Sequence, residues 1–335
     1  MYKSFEYHMA SETAQALGVY RRAAARDVRR LLDGAKVVVP SAIYSIARGS
    51  SDAAANILSY EFMRELGVPF TSLPPSVFSL GGRLQLNNVV VLVVSQSGQS
   101  EDLVQSATGA VVNGAKLIAI TNQSNSPVEM AAHLTIPIDA GSEHAIPATK
   151  TVVGAIGAGA ALLSAFAPDY RERHLKANAA LPTVVSEHPD ANTLQSAFLR
   201  SRHVYVIGRD TGYGAACEVA LKLKECCSLH AEAYSSSEVL HGPLQLATNP
   251  LMLLILDTGS PHIQASLDLA ERRFRNLGCD VFRIKPADIG VSDVTPILAS
   301  ALLLTVMYPI ILNTALSLGL NPDVPTTLSK VTQTL

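Results

Sequence analysis

The sequence predicts an α/β fold made of two similar halves, each a mostly parallel sheet with helices on its faces. Three observations predict it. Residues 89–94 form an unbroken, mostly β-branched run of the kind that fills a strand buried on both faces. Such runs alternate with helical patterns, and strand, helix, strand in that order pairs in parallel. The whole order then recurs: Arg48 and Arg209 stand 161 positions apart, and so do Gly98 and Gly259. A constant offset over about fifty residues marks a fused repeat.

Taken in order, residues 10–32 alternate Ala, Leu and Val with Arg, Glu and Asp up to Asp33-Gly34, which reads as one amphipathic helix. Arg21, Arg22, Arg26, Arg29 and Arg30 form its wet face. The first half opens with the β-rich stretch 41–46, then Ala-Arg-Gly-Ser-Ser and a helical pattern from Asp52 to Leu66 that Gly67 ends. The run 89–94 leads through Ser95-Gln-Ser-Gly-Gln-Ser100 into a helix over 101–113, and 116–120 is a further buried strand. The second half repeats this as strand 204–207, helix 213–227, strand 250–255 and, after a three-residue slip, strand 279–284. The expected boundaries are an N-terminal helical segment 1–34, a first domain 35–167, a polar linker 168–196 holding one helix, a second domain 197–320 and a tail 321–335.

Composition narrows the function classes. With 335 residues, 48% hydrophobic and 16% charged, the chain can bury a large core. A net charge of −2 without a basic block excludes nucleic acid as the main partner. The four cysteines form no C-x-x-C pair, which reads as reduced thiols in a cytoplasmic protein and not as a metal site. The N-terminus lacks an apolar signal core. Residues 152–167 and 294–322 are uncharged, yet they lack flanking Lys/Arg clusters, and the second is broken by Pro309 and Asn313. Both are expected to be buried helices with faces that one chain leaves for a second copy to cover.

The chemistry concentrates in two places. Ser95-Gln-Ser-Gly-Gln-Ser100 puts hydroxyls, amides and a glycine between a strand and a helix N-terminus, where unpaired N–H groups and the helix dipole favour an anion. Donors without a cation suit a phosphate monoester. The second half has Asp257-Thr-Gly-Ser at the matching place, with a carboxylate where a phosphate would go, so only one half is built for an anion. Ser50 and Ser51, at a neighbouring strand end, are candidates to close the other side. Thr149 and Lys150 follow a loop containing Glu143. The second place is residues 218–242: Lys222 and Glu225 share a helix face, and His241 follows before Gly-Pro. A carboxylate, an amine and an imidazole are the parts needed to move protons on a carbonyl compound.

These motifs, together with IARGSSDAA, ATKT, ALKLKECCSLHAEAYSSSEVLHGPL and NPDVPTTLSKVTQTL, resemble the double sugar-isomerase (SIS) domain family from about residue 35 to the end. The likeness is to the isomerase half of glucosamine-6-phosphate synthase and to the SIS-type glucosamine-6-phosphate deaminases. It implies two tandem SIS domains, each a flavodoxin-like three-layer sandwich. It further implies that Ser95, Gln96, Ser97 and Ser100 hold the sugar phosphate, with Ser50 and Ser51 near the sugar and Thr149 beside it. Glu225 matches the base that moves a proton between C1 and C2, and Lys222 the amine beside it. His241 matches the ring-opening histidine, which in the family comes from the other subunit of a homodimer. Lys330 matches the lysine of a tail that closes over the site. The resemblance calls for no cofactor and no metal, and its substrate is a phosphorylated amino sugar or ketose.

Two departures carry information. Ala148 stands where the synthase has a serine, and the tail P-x-x-L-x-KVTQT looks more like the deaminases. No Cys follows Met1, so a glutamine-hydrolysing domain is not expected. The expected activity is conversion of glucosamine 6-phosphate to fructose 6-phosphate and ammonia. The alternatives are another SIS aldose–ketose isomerase, a deglycase of an amino-linked sugar phosphate, and, in a different class, a sugar-phosphate-binding regulatory module.

Overall fold

The computed structural model describes residues 7–81 and 84–330. The elements run α1 (His8–Ala24), α2 (Arg29–Ala35), β1 (Ile43–Ile46), α3 (Gly49–Leu66), β2 (Phe70–Ser72), α4 (Ser76–Ser79), β3 (Val90–Ser95) and α5 (Glu101–Val112). They continue as β4 (Lys116–Thr121), α6 (Pro127–Ala131), β5 (Leu134–Pro137), α7 (Lys150–Phe166), α8 (Pro168–Ala179) and α9 (Ala191–Arg200). Then come β6 (His203–Gly208), α10 (Thr211–Cys227), β7 (His230–Ser235), β8 (Met252–Leu256), α11 (Gln264–Asn276), β9 (Asp280–Ile284) and α12 (Pro296–Ser317). The chain divides into two compact units. The first comprises Gly18–Ser142, Lys150–Ala180 and, of the described tail, Lys330; the second comprises the described residues up to Leu17, Glu143–Thr149 and Leu181–Ser329.

The first unit holds a five-stranded sheet in the order β2-β1-β3-β4-β5, and the second a four-stranded sheet in the order β7-β6-β8-β9. Every strand pair in both is parallel. The two orders coincide apart from β5, so the repeat read from the 161-residue offset is a repeat of topology. All six residues of β3 and all five of β8 are buried, which explains why these strands read as continuous apolar runs. Helix α3 ends where Gly67 takes a left-handed conformation (φ 66°) and donates its N–H to the Met63 carbonyl at 3.0 Å.

Five expectations are corrected. The pattern over 10–32 is two helices, not one: α1 stops at Ala24 and α2 starts at Arg29. Asp27 causes the break, its carboxylate accepting the Arg29 N–H at 3.2 Å and so competing with the helical ladder. Arg26 is not part of a wet face; it pairs with Asp139 and donates to the Pro137 carbonyl. The polar stretch 168–196 holds α8 and the start of α9, not one helix.

The fourth and fifth corrections concern the apolar segments. Pro309 lies inside a continuous α12 rather than breaking it. Its exposed position turns the ring to the outer side of the helix, where the lost N–H and the steric cost of proline are most easily accommodated. Both apolar helices are buried, as expected, but their faces are not left open. In α7 every residue from Lys150 to Ser164 is buried, with α3 and α8 packed on it. Helix α12 is long and apolar enough to cross a membrane, yet 89% of its apolar window is buried, with α10 and α9 packed against it.

Candidate active site

In an open parallel sheet a ligand crevice forms outside the carboxyl ends of the strands, where chain connections leave in opposite directions. In the first unit that point lies between β1 and β3, since β1 leads out to β2 on one side and β3 to β4 on the other. The loops that follow are Ala47–Ser51 and Gln96–Ser100. Ser50 and Ser51 fall in the first turn of α3 and are half-buried. Ser95 ends β3, only 5% exposed, its Oγ accepting the Gly98 N–H at 3.1 Å. Gln96 and Ser97 are half-buried, and Ser97 Oγ accepts the Gln99 N–H at a long 3.3 Å. Gly98 sits at φ 61°, and a Cβ there would collide with the Ser126 side chain. Ser100 occupies the N-cap of α5 but makes no side-chain cap bond, so its hydroxyl is not committed to the helix. Arg48, which precedes α3 at this end of the sheet, donates from Nε (2.9 Å) and Nη2 (2.7 Å) to the buried Asp102 of α5.

The matching loop of the second unit is closed from within. Asp257 is 2% exposed and accepts from the Gly259 N–H (2.8 Å) and from Gln264 Nε2 (2.9 Å), while Arg283 pairs with it at 2.9 Å. A fixed, internally bonded carboxylate stands here where the first unit has Gln96, as the sequence contrast predicts.

The second unit carries the proton-transfer candidates. Helix α10 places Glu218, Lys222 and Glu225 at i, i+4 and i+7, one face of the helix. Lys222 Nζ lies 2.6 Å from Glu225 and 3.3 Å from Glu218. The side chains of Lys222 and Glu218 are 1% and 0% exposed, and that of Glu225 is 22% exposed. Tyr308 of α12, fully buried, donates its hydroxyl to Glu218 Oε1 at 3.1 Å. Burial pulls the Lys222 pKa down, but the carboxylates of Glu218 and Glu225 outweigh it and hold the pKa above that of an ordinary lysine. Lys222 is therefore an ammonium at neutral pH, able to stabilise negative charge and not to attack a carbonyl. Burial pushes the neighbouring Cys226 thiol up to about 12, which leaves it an inert packing group. A cavity of about 580 Å³ opens against Glu225, walled by Leu221, Cys226, Asn321, Thr326 and Thr327.

Thr149 is fully buried, its N–H donating to Glu143 Oε1 at 3.0 Å while its Oγ1 has no hydrogen-bond partner. His241 is exposed, closes a 3-10 turn through its N–H to the Glu238 carbonyl (3.0 Å), and lines a different cavity of about 460 Å³ with Leu240, Leu244 and Arg273. Lys330 is half-buried, and the rest of the tail, 331–335, falls outside the described residues. No group of three or more metal-ligating side chains occurs among the described residues. Sequence reasoning missed Glu218 and Tyr308. The first had a signal, its i, i+4 spacing to Lys222; the second had none, being 90 residues from Glu218.

Comparison with known proteins gives a consistent result. A model of the SIS domain matches residues 38–165 and 197–284. Among curated relatives, a glutamine–fructose-6-phosphate aminotransferase (isomerizing) of Campylobacter jejuni is 33% identical over 218 residues, covering 63% of this chain and 36% of that protein. The enzyme of the same name from Methanothermobacter thermautotrophicus is 27% identical, covering 85% of this chain and 50% of that protein. The chain thus spans half or less of these relatives. Among solved structures, a candidate phosphosugar isomerase from Silicibacter pomeroyi superposes with a TM-score of 0.81 at 30% identity, covering 95% of this chain and all of that one. A glucosamine-6-phosphate deaminase from Thermotoga maritima superposes with a TM-score of 0.72 at 20% identity, covering 96% of this chain and 100% of that one, a likeness of fold alone.

Proposed function

This chain belongs to the SIS domain family, which it matches in both halves, and from that premise we propose that it is a glucosamine-6-phosphate deaminase/isomerase. The observation that carries the reading is the buried ammonium of Lys222 held between Glu218 and Glu225, with Glu225 the member that reaches a cavity. In this reading Ser95, Gln96, Ser97 and Ser100, with the first turn of α3, hold the phosphate of the substrate by hydroxyl and backbone donors. His241 of a second copy of the chain opens the sugar ring, moving a proton between the ring oxygen and O1. What supports assigning it to a second copy is its exposure on a cavity other than the one Glu225 lines.

Glu225 then takes the C2 proton of the open aldehyde, and electrons flow from that C–H bond through C1 to O1. Lys222 stabilises the resulting enediolate-like oxygen as a fixed positive charge. Returning the proton to C1 leaves an imine at C2, and addition of water there releases ammonia and fructose 6-phosphate. The deaminase assignment within the family rests on the form of the tail from Pro325 to Leu335 and on the C1–C2 chemistry open to Glu225. Lys330 closes over the substrate, and Thr149 offers its uncommitted hydroxyl to the sugar.

Incubating the protein with glucosamine 6-phosphate should yield ammonia and fructose 6-phosphate in equal amounts. Isomerisation of another sugar phosphate without ammonia release would replace this reading with that of a plain aldose–ketose isomerase. Glu225→Gln keeps the shape and removes the base, so turnover should fall at least ~10²-fold with sugar-phosphate binding retained. A Gln variant that still washes deuterium out of C2 at the wild-type rate would remove Glu225 from the role of base.

A further inference from the structure

The phenol of Tyr308 belongs to the α10 cluster without lining its cavity, and the proton-transfer scheme above makes no use of it. Yet its place is strongly determined. The ring is fully buried, it comes from the middle of α12, and its hydroxyl has a buried carboxylate to donate to. Glu218, completely enclosed, receives two donors on the same oxygen: Tyr308 at 3.1 Å and Lys222 at 3.3 Å. An ionised carboxylate only accepts, and in a dry interior it depends on each donor it has.

We propose that Tyr308 is a positioning residue that keeps Glu218 ionised, so that Lys222 is shared between Glu218 and Glu225 and the base at the cavity keeps its basicity. This rests on the reading of Glu225 as the base. Two carboxylates with one ammonium leave a net negative charge in the cluster, so a proton has a reason to enter. The phenol's hydrogen bond decides against Glu218 taking it, because donation to the charged form favours that form. Removing the hydroxyl sends the proton to Glu218. Lys222 then leans wholly on Glu225, whose ionised form is stabilised and whose affinity for the C2 proton falls.

Other charged and titratable groups around this cluster include Glu143, which acts on Tyr308 from the loop before α7, Cys226, which follows Glu225, Asp323, which acts on Cys226 from the segment after α12, and Lys224, which lines the Glu225 cavity. Burial, followed by the charge of Glu218, raises the Tyr308 pKa well above that of a free phenol, in keeping with a hydroxyl that stays protonated and donating.

Tyr308→Phe keeps the ring and deletes the donor, and two readouts test it. Infrared spectra of the protein near neutral pH should gain a carboxylic-acid carbonyl band, and that band should vanish when Glu218→Gln is added. Deuterium wash-out from C2 of the substrate should slow about tenfold, with the acid limb of its pH profile displaced downward by about half to one pH unit and KM little changed. A simple packing role moves neither the band nor the limb. Tyr308→Phe protein without a new acid band, or with one but with an unmoved acid limb, overturns the proposal. If the wild-type protein washes out no deuterium, the reading of Glu225 fails by itself. The infrared band then still decides whether Tyr308 holds the proton off Glu218.

Discussion

Ser97 lies half-buried at the bend between β3 and α5, and among the described residues its hydroxyl is held only by the long 3.3 Å bond from the Gln99 N–H. Such a bond is readily exchanged for one to a phosphate oxygen. Ser97→Ala should therefore raise KM for a phosphorylated sugar by about tenfold while lowering kcat less, because phosphate is held alike in the ground and transition states. Unchanged affinity for fructose 6-phosphate by calorimetry would return the loop to a purely structural turn. His174 makes a different residue-scale prediction. Its fully buried ring stacks on Tyr170 with centroids 5.4 Å apart, and burial draws its pKa down from 6.5 to about 4 despite an opposing backbone hydrogen bond with Ala24. The unfolded chain takes up this proton near 6.5 and the folded chain only near 4. Between those values the unfolded state binds more protons, so stability falls as pH drops through the window and levels off below it. The loss amounts to about 3 kcal/mol at most. His174→Leu should therefore show a smaller stability difference between pH 7 and pH 4.5 in urea melts, by about 2 kcal/mol. An unaltered difference would mean that other groups carry the acid sensitivity.

At the scale of elements, the phosphate-loop candidate depends on one backbone conformation. Gly98 is buried at φ 61°, and its missing side chain lets Ser126, the cap of α6, approach the loop. Gly98→Ala combines left-handed strain with a collision against Ser126, and should cost about 1–3 kcal/mol. The β3–α5 turn would shift, and sugar-phosphate affinity should drop with the melting temperature. An alanine variant that binds fructose 6-phosphate as wild type does would show that the loop conformation is not what holds the anion. The matching loop of the other unit keeps a glycine at this offset, Gly259 at φ 79°, but an added Cβ there meets nothing. The same turn is kept in both halves, and only in the first is it tightly packed.

For the whole molecule, the case for a homodimer changes its basis. The long apolar helices do not need a partner, because α7 and α12 are covered within the chain. What remains in favour is the exposed His241, set on a cavity with Leu240, Leu244 and Leu277 away from Glu225. If His241 serves the site of a second copy, a Glu225→Gln chain and a His241→Ala chain are each nearly inactive alone. A heterodimer of the two then puts both lesions in one site and leaves the other intact. Mixing after reversible dissociation should restore activity to about half of the wild-type value per heterodimer. A mixture that dimerises and stays inactive would assign His241 to its own chain.

Much of this was legible in the residues because it depends on local or periodic rules. Runs of β-branched residues mark strands buried on both faces, the 161-residue offset marks the repeat, and Lys222 and Glu225 meet because a helix turns every 3.6 residues. The contrast between Gln96 and Asp257 was readable for the same reason, since aligned repeats put them at one place. The break between α1 and α2 was not, because Asp27 competes through a side-chain bond that hydrophobic periodicity does not register. Nor was the continuity of α12 through Pro309, which packing against α10 and α9 maintains against local propensity. Only the tertiary structure brought Tyr308 to Glu218, Thr149 to Glu143, and the backbone of His8 and Met9 to the Asp323 carboxylate. Sequence by itself determined the sheets and the pair of groups on one helix face. Tertiary packing decided how Lys222 is charged, because that depends on which distant side chains exclude water and supply its second carboxylate with a donor.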